Sequence, residues 1–355
     1  MKSKYYFAIL KNENENDHIP WVKSCEKNSE QVAYKVIDIT KSNWLELIFS
    51  ENFDFYLTRP PDKTEKFKQL YDERVTILNS VFKSKLYPTL TEILLYENKR
   101  MLAYWLEANK IPHPLTRIFY TIEEASEFIE KNKEYPVVAK TSIGASGSGV
   151  KIIRNKNEAL KYLTDAFSKN GVKRKWGPNF RKSEIFKRSL KRISNPVETI
   201  KYFINKKAIS ETGIQFGYVI FQKYIKCDFE WRAVKVGNSY FAHKKLRSFG
   251  ELMSGTSKVS WDPPNERFLD FIESICNKGG FYSQAVDVFE DQKGNYFVNE
   301  LQCFFGSKNP YQMIVNNKPG RYIKKDSSWI FEEGNFNTNN SYDLRLKHII
   351  QLLSE

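Results

Sequence analysis

Cysteine, histidine and long apolar runs are all scarce in this chain, and each scarcity closes off a class of protein. The four cysteines, Cys25, Cys227, Cys276 and Cys303, lie scattered without a Cys-x-x-Cys pair. They read as reduced thiols, with neither a zinc site nor a disulfide frame behind them. Four histidines and no Ser-His-Asp or Cys-His arrangement leave side-chain nucleophilic catalysis without a basis. No apolar run reaches the roughly 18 to 20 residues that cross a bilayer. The start, Met1 to Leu10, is too short in its apolar part for a signal peptide, so the cytoplasm is the expected location. Internal repeats and low-complexity tracts are absent.

What is present is a long, folded, basic chain. Its 355 residues suffice for two or three domains or subdomains, and 41% hydrophobic with 15% aromatic residues exclude disorder. The formal charge of +14 implies an anionic partner: nucleotide, acidic small molecule, polysaccharide or nucleic acid. The excess concentrates in residues 169 to 192, where ten lysines and arginines face the single acid Glu184. That segment reads either as a solvated helix and loop or as a flap that binds an anionic substrate or polymer.

The first 90 residues alternate strand-like and helix-like stretches, which predicts an open α/β layer with a mainly parallel sheet. A helix is expected over Thr91 to Asn109, stopping before Ile111-Pro112-His113-Pro114. A second unit then carries strands at Thr116 to Tyr120, Val137 to Lys140 and Val150 to Ile153, and capped helices from Thr121 and Asn155. Further on come an apolar strand over Gly217 to Tyr224 and a hairpin about Gly237-Asn238. A helix over Asn265 to Cys276 and a closing helix over about Tyr342 to Leu353 complete the pattern. The expected organisation is an N-terminal α/β domain over 1–90, a central subdomain over 91–220 with a basic insertion at 169–215, and a C-terminal catalytic subdomain over 221–355.

Two local patterns carry chemistry. Between two strands, Thr141-Ser142-Ile143-Gly144-Ala145-Ser146-Gly147-Ser148-Gly149 forms a loop whose bare backbone N–H groups can approach phosphate oxygens. It is neither a Walker loop nor a Gly-x-Gly-x-x-Gly fingerprint. Lys140 ends the strand immediately before it, where a buried ammonium calls for an anion. Near the C-terminus, Ala285-Val286-Asp287-Val288-Phe289 and Tyr296 to Gln302 read as a hairpin. With Lys293-Gly294 as its tip, Asp287 falls opposite Glu300, and Gln302 shares the face of Glu300. Opposed like charges repel unless a cation lies between them, and two carboxylates with an amide oxygen suit magnesium.

The order of these features resembles the ATP-grasp superfamily from about Tyr96 to Gly306: a lysine on a helix, Ile-Pro-x-Pro-x-Thr, a strand ending in lysine, a glycine-rich hairpin, a hinge strand and an acidic hairpin. The resemblance implies an α/β (α+β) ATP-grasp fold behind an N-terminal α/β domain. It assigns Lys99 and Lys140 to ATP phosphates, and the loop from Ser142 through Gly144, Ser146, Gly147, Ser148 and Gly149 to a lid over them. Gln222, Lys223, Tyr224 and Ile225 become the adenine hinge. Glu230, with Asp228 as its rival, becomes the ribose contact. Arg232, Lys245 and Arg247, together with Lys244, match basic residues that face the reacting groups in the glutathione-synthetase-like and glutamate-ligase-like branches. Asp287, Glu300 and Gln302 become ligands for two magnesium ions, with manganese as an alternative. The sequence departs from the family pattern in carrying Gln302 in place of asparagine and in the following Cys303-Phe304-Phe305-Gly306-Ser307-Lys308.

The implied activity is an ATP- and magnesium-dependent carboxylate–amine ligase working through an acyl phosphate, its acceptor an amino acid, peptide or sugar uronate. The competing readings are a phosphotransferase of the same fold and a basic binder of acidic polymer or nucleic acid, for which no sequence motif is visible. His243 reads as a packing or surface residue in preference to a base for the amine. A homo-oligomer is left open.

Overall fold

The computed structural model describes residues 4–144, 149–174, 214–247, 258–305 and 309–355. The expected loop residues Ser146, Gly147 and Ser148 therefore lie outside the described residues, as does most of the basic insertion. Among the described residues no helix is long and apolar enough to cross a membrane.

The N-terminal unit is a four-stranded parallel sheet, as its alternating pattern predicts. Strands β1 (Tyr5–Lys11), β2 (Val32–Asp38), β3 (Phe55–Leu57) and β4 (Leu86–Tyr87) lie in the order β2-β1-β3-β4. Helices α1 (Ile19–Lys27), α2 (Trp44–Phe49) and α3 (Glu65–Ser80) belong to the same unit, and β1 is buried almost throughout, as a strand covered on both faces must be.

The helix expected over Thr91 to Asn109 is two helices, α4 (Leu90–Leu95) and α5 (Lys99–Ala108). Thr89 and Glu92 form a reciprocal capping box at the first, and the Asn98 side chain caps the second by accepting from the Met101 N–H. Between them Glu97 adopts φ +49°, a conformation that costs a residue with a Cβ. The break makes Lys99 the first residue of α5. Leu102 and Leu106 then bury the inner face of that helix against the large sheet, among Trp231, Phe268 and Val286.

The central unit is a four-stranded antiparallel sheet in the order β5-β10-β6-β7, built from β5 (Thr116–Phe119), β6 (Val137–Lys140), β7 (Val150–Ile153) and β10 (Val219–Lys223). Helices α6 (Ile122–Lys131) and α7 (Lys156–Phe167) pack on it, and β8 (Val172–Lys173) pairs with β9 (Ile214–Gln215) nearby. The large antiparallel sheet holds β11 (Phe229–Val236), β12 (Ser239–Leu246), β13 (Val259–Ser260), β14 (Ser283–Glu290), β15 (Tyr296–Gln302), β16 (Ile314–Val315), β17 (Lys318–Lys325) and β18 (Ser328–Glu333). The β17–β18 hairpin is an element the sequence reading did not contain. Helix α8 (Glu266–Gly279) covers the sheet with Phe268, Leu269, Ile272 and Ile275. Helix α9 (Tyr342–Ser354) returns the chain to the N-terminal unit, where Tyr342 packs edge-on to Trp21 at 4.8 Å.

Candidate nucleotide and metal site

The hairpin β14–β15 sets the geometry, and it does so by a different route from the one the turn suggests. Asp287 does pair with Glu300. The loop, however, is centred on Lys293, with Glu290 opposite Tyr296 and Val288 opposite Val298. A regular ladder from that turn would place Asp287 opposite Asn299; a bulge inserts Asn299 as an extra residue and carries Glu300 into register. Both side chains then reach the same cleft, where Asn299 and Glu300 line one wall with Asp287 and Phe289.

That cleft lies between the central and large sheets. Lys99, Lys140, Gly144, Gln222, Lys223, Tyr224, Ile225, Glu230 and Arg247 also line it, with Val138, Val150 and Ile152 as apolar walls. Most residues singled out in the sequence thus converge, although they come from nine separate elements and loops. Asp228 is exposed and Glu230 is 2% exposed in the cleft, which separates the two rivals. Ser142 is buried behind the loop, its N–H donated to the Gln215 side chain at 3.0 Å. Gly149 returns beside Thr141, where a Cβ would fall 1.8 Å from Thr141 Oγ1, so this close approach requires glycine.

Charges in the cleft are arranged as a chain. Lys99 Nζ lies 3.5 Å from Glu300 and 4.0 Å from Glu97. Lys140 Nζ donates to Asn299 Oδ1 at 2.8 Å, and Asn299 Nδ2 donates to Glu230 Oε1 at 2.6 Å. Lys245 Nζ bridges Glu230 at 3.0 Å and Asp287 at 2.5 Å. Arg232 grips both Asp287 oxygens and reaches Gln302 Oε1 at 3.3 Å. Lys244 instead points its ammonium over the Phe229 ring at 4.3 Å, paired with Asp262. Lys99, Lys140, Arg232 and Lys245 thus face Glu230, Asp287 and Glu300 about the cleft, with Glu97 behind Lys99 and outside the lining.

Burial splits the proton affinities of these groups. It pushes the Lys140 ammonium down to about 8 and the Glu230 carboxyl up, against the pull of Lys245. Burial would raise Asp287 too, but Arg232 and Lys245 outweigh it and hold that carboxyl down at about 2. His243 is driven down to about 4 by burial and by Arg232, and its Nδ1 lies 3.0 Å from the Gln312 carbonyl oxygen.

The donor set around Asp287 is all oxygen: two carboxylates across the hairpin and the Gln302 amide. Among the described residues no group of three or more His, Cys, Asp or Glu gathers at one point. The protein therefore offers a hard cation part of a shell, which fits magnesium completed by water and phosphate and does not fit a structural zinc. Asn299, Glu97 and the Val138, Ile152 and Phe289 walls were not found from the sequence. Alternation along β6 marks Val138 as sharing a face with Lys140, but nothing local marks the bulge.

Residues 97–174 match the model of the RimK-like ATP-grasp domain family. No curated protein matches the chain. Among solved structures it is similar to D-alanine–D-alanine ligase from Bacillus anthracis, at 12% identity and TM-score 0.53, over 98% of this chain and 96% of that one. It is also similar to N5-carboxyaminoimidazole synthase from Aspergillus clavatus in complex with ADP and its ribonucleotide, at 10% identity, TM-score 0.54, and 99% and 78% coverage. The N5-carboxyaminoimidazole ribonucleotide synthetase from Thermotoga maritima aligns at 12% identity and TM-score 0.51, over 98% and 76%.

Proposed function

For a chain that has the ATP-grasp fold, we propose an ATP- and magnesium-dependent ligase that joins a carboxylate to an amine. The observation that carries this reading is the single cleft in which Lys99, Lys140, Glu230, Asp287 and Glu300 meet. In it the adenine lies against Val138, Ile152 and Phe289 beside the hinge Gln222–Ile225, and Glu230 receives the ribose. Lys99 and Lys140 meet the phosphates. Asp287 and Glu300, with Gln302, hold magnesium, which when bound neutralises phosphate charge as it shifts in transfer.

The chemistry follows from what these groups do to charge. A substrate carboxylate oxygen attacks the γ-phosphorus, and the bond to the β-phosphate oxygen breaks, giving ADP and an acyl phosphate. The amine nitrogen then attacks the acyl carbon, phosphate leaves with the bonding pair, and the nitrogen loses its proton. No covalent enzyme intermediate is required; positioning and electrostatic stabilisation carry the transfer. In this reading Arg232, Lys245 and Arg247 would face the reacting carboxylate and phosphate; Arg247 lines the cleft, and Arg232 and Lys245 hold Asp287 beside it. The acceptor class drawn from the resemblance is an amino acid, peptide or sugar uronate.

The test is incubation with MgATP and pooled carboxylates and amines, following ADP, phosphate and new amides by mass. Amide-coupled ADP release that falls on the order of 100-fold in Asp287→Asn and Glu300→Gln supports the reading. ADP release without any amide, or acid variants as fast as the parent, overturns it.

A further inference from the structure

We propose that Glu97 is a positioning residue, which fixes the base of the glycine-rich loop and the ammonium of Lys99 for the nucleotide. This rests on the nucleotide reading of the cleft. Glu97 lies outside the cleft lining, 4% exposed, at the break between α4 and α5. Its Oε2 accepts the Gly144 N–H at 2.9 Å and stands 4.0 Å from Lys99 Nζ. Lys99 closes the unit from the other side: its N–H donates to the Ser142 carbonyl at 3.2 Å and its ammonium to the Gly144 carbonyl at 3.2 Å.

The first part of the loop is therefore a fixed pedestal. Thr141 N–H donates to Gly149 O at 2.8 Å, Thr141 Oγ1 to Ile143 O at 2.7 Å, and Ser142 N–H to Gln215 at 3.0 Å. Among the described residues, Glu97 and Lys99 are the charged partners of this loop base, and both meet it at Gly144. Two features show that Glu97 is set here against its own preference. Its backbone is held at φ +49°, a left-handed conformation that is unfavourable for a non-glycine residue. Its carboxylate is buried beside a second acid, Glu300, with Lys99 shared between them. Tyr96, Glu97 and Asn98 all leave helical geometry at this break, and from it one carboxylate is aimed at Gly144 and Lys99 at once. Because Glu97 does not line the cleft, it acts on nucleotide through these two neighbours.

The experiment combines hydrogen exchange on the nucleotide-free protein with steady-state kinetics, using Glu97→Ala, Glu97→Gln and Glu97→Asp. Glutamine keeps an oxygen for the Gly144 N–H, whereas alanine removes it and aspartate withdraws it by one methylene. Peptides ending at Gly144 should exchange about tenfold faster in Glu97→Ala and Glu97→Asp and within about threefold of the parent in Glu97→Gln. The KM for ATP should rise about tenfold in Glu97→Ala, with the acceptor KM unchanged and much of the loss recovered in Glu97→Gln. Unchanged exchange in Glu97→Ala, or an equal rise in both KM values, overturns the assignment. If alanine does not fold, the glutamine and aspartate variants decide it alone. A parent that binds no nucleotide would defeat the functional reading instead, and the exchange result would stand apart from it.

Discussion

Lys245 holds two buried acids with one ammonium, 3.0 Å from Glu230 and 2.5 Å from Asp287. The acids differ in their other partners. Asp287 has Arg232 as a second cation and stays ionised, while Glu230 has only the Asn299 amide and binds protons more readily than a free carboxylate. Lys245→Met should cost about 3 to 5 kcal/mol at neutral pH, because it leaves buried charge uncompensated. Urea unfolding measures this; a change below about 1 kcal/mol would mean that the bridge contributes little.

Lys140 predicts the opposite sign. Its folded-state ammonium titrates near 8, below its usual 10.5, because of burial. Between those values the unfolded chain binds a proton that the folded one has lost, so stability rises with pH through this window and the cost is full below about 8. A shift from 10.5 to about 8 corresponds to roughly 3 kcal/mol. Lys140→Met should therefore stabilise the nucleotide-free protein at pH 7, with the gain fading towards about pH 10, and should abolish tight ATP binding. Unfolding at a series of pH values checks it; a destabilised variant at pH 7 contradicts it.

Metal removal should leave the fold intact. Glu230, Asp287 and Glu300 already face Lys99, Arg232 and Lys245, so chelation uncovers no unpaired cluster. A chelator should move the melting temperature by less than about 2 °C, unlike the collapse of a structural metal site. ATP should then raise the melting temperature only when magnesium is present. Unfolding by chelator alone would show that the metal has a structural role.

Deleting Asn299 is a test of the bulge. Removal restores an unbroken ladder from the Lys293 turn and still leaves Asp287 opposite Glu300, so the fold should persist at a stability cost of about 1 to 3 kcal/mol from the lost buried hydrogen bonds. The bridge from Lys140 to Glu230 disappears, and ATP affinity should fall about tenfold, since both groups lose a buried partner. Calorimetry reads the affinity and urea unfolding the stability; a deleted chain that binds ATP normally would remove Asn299 from the site.

Much of this architecture was legible where the information is local. Alternation and turn residues gave the parallel N-terminal sheet, the hairpin about Gly237, and Lys140 as the last residue of a buried strand. The facing of Asp287 and Glu300 was read correctly, but from a two-residue tip; the observed pair depends on a wider loop and a compensating bulge. Period-two counting has no term for an inserted residue. The break at Glu97 was missed because the apolar spacing of Leu94, Leu95, Met101, Leu102 and Leu106 runs through it, although Thr89-x-x-Glu92 and Asn98 mark two starts. The resemblance assigns Ser142 to the phosphate lid, and only the fold reveals Gln215, more than seventy positions away, on its N–H.

The most direct measurement of the central claim is calorimetric titration of ATP into the parent, Asp287→Asn and Glu300→Gln, each with magnesium and with chelator. Opposed acids holding a metal against the phosphates predict binding to the parent that weakens by at least about tenfold on chelation, and variants that respond to magnesium far less. Equal affinity in all three proteins with and without magnesium would contradict it.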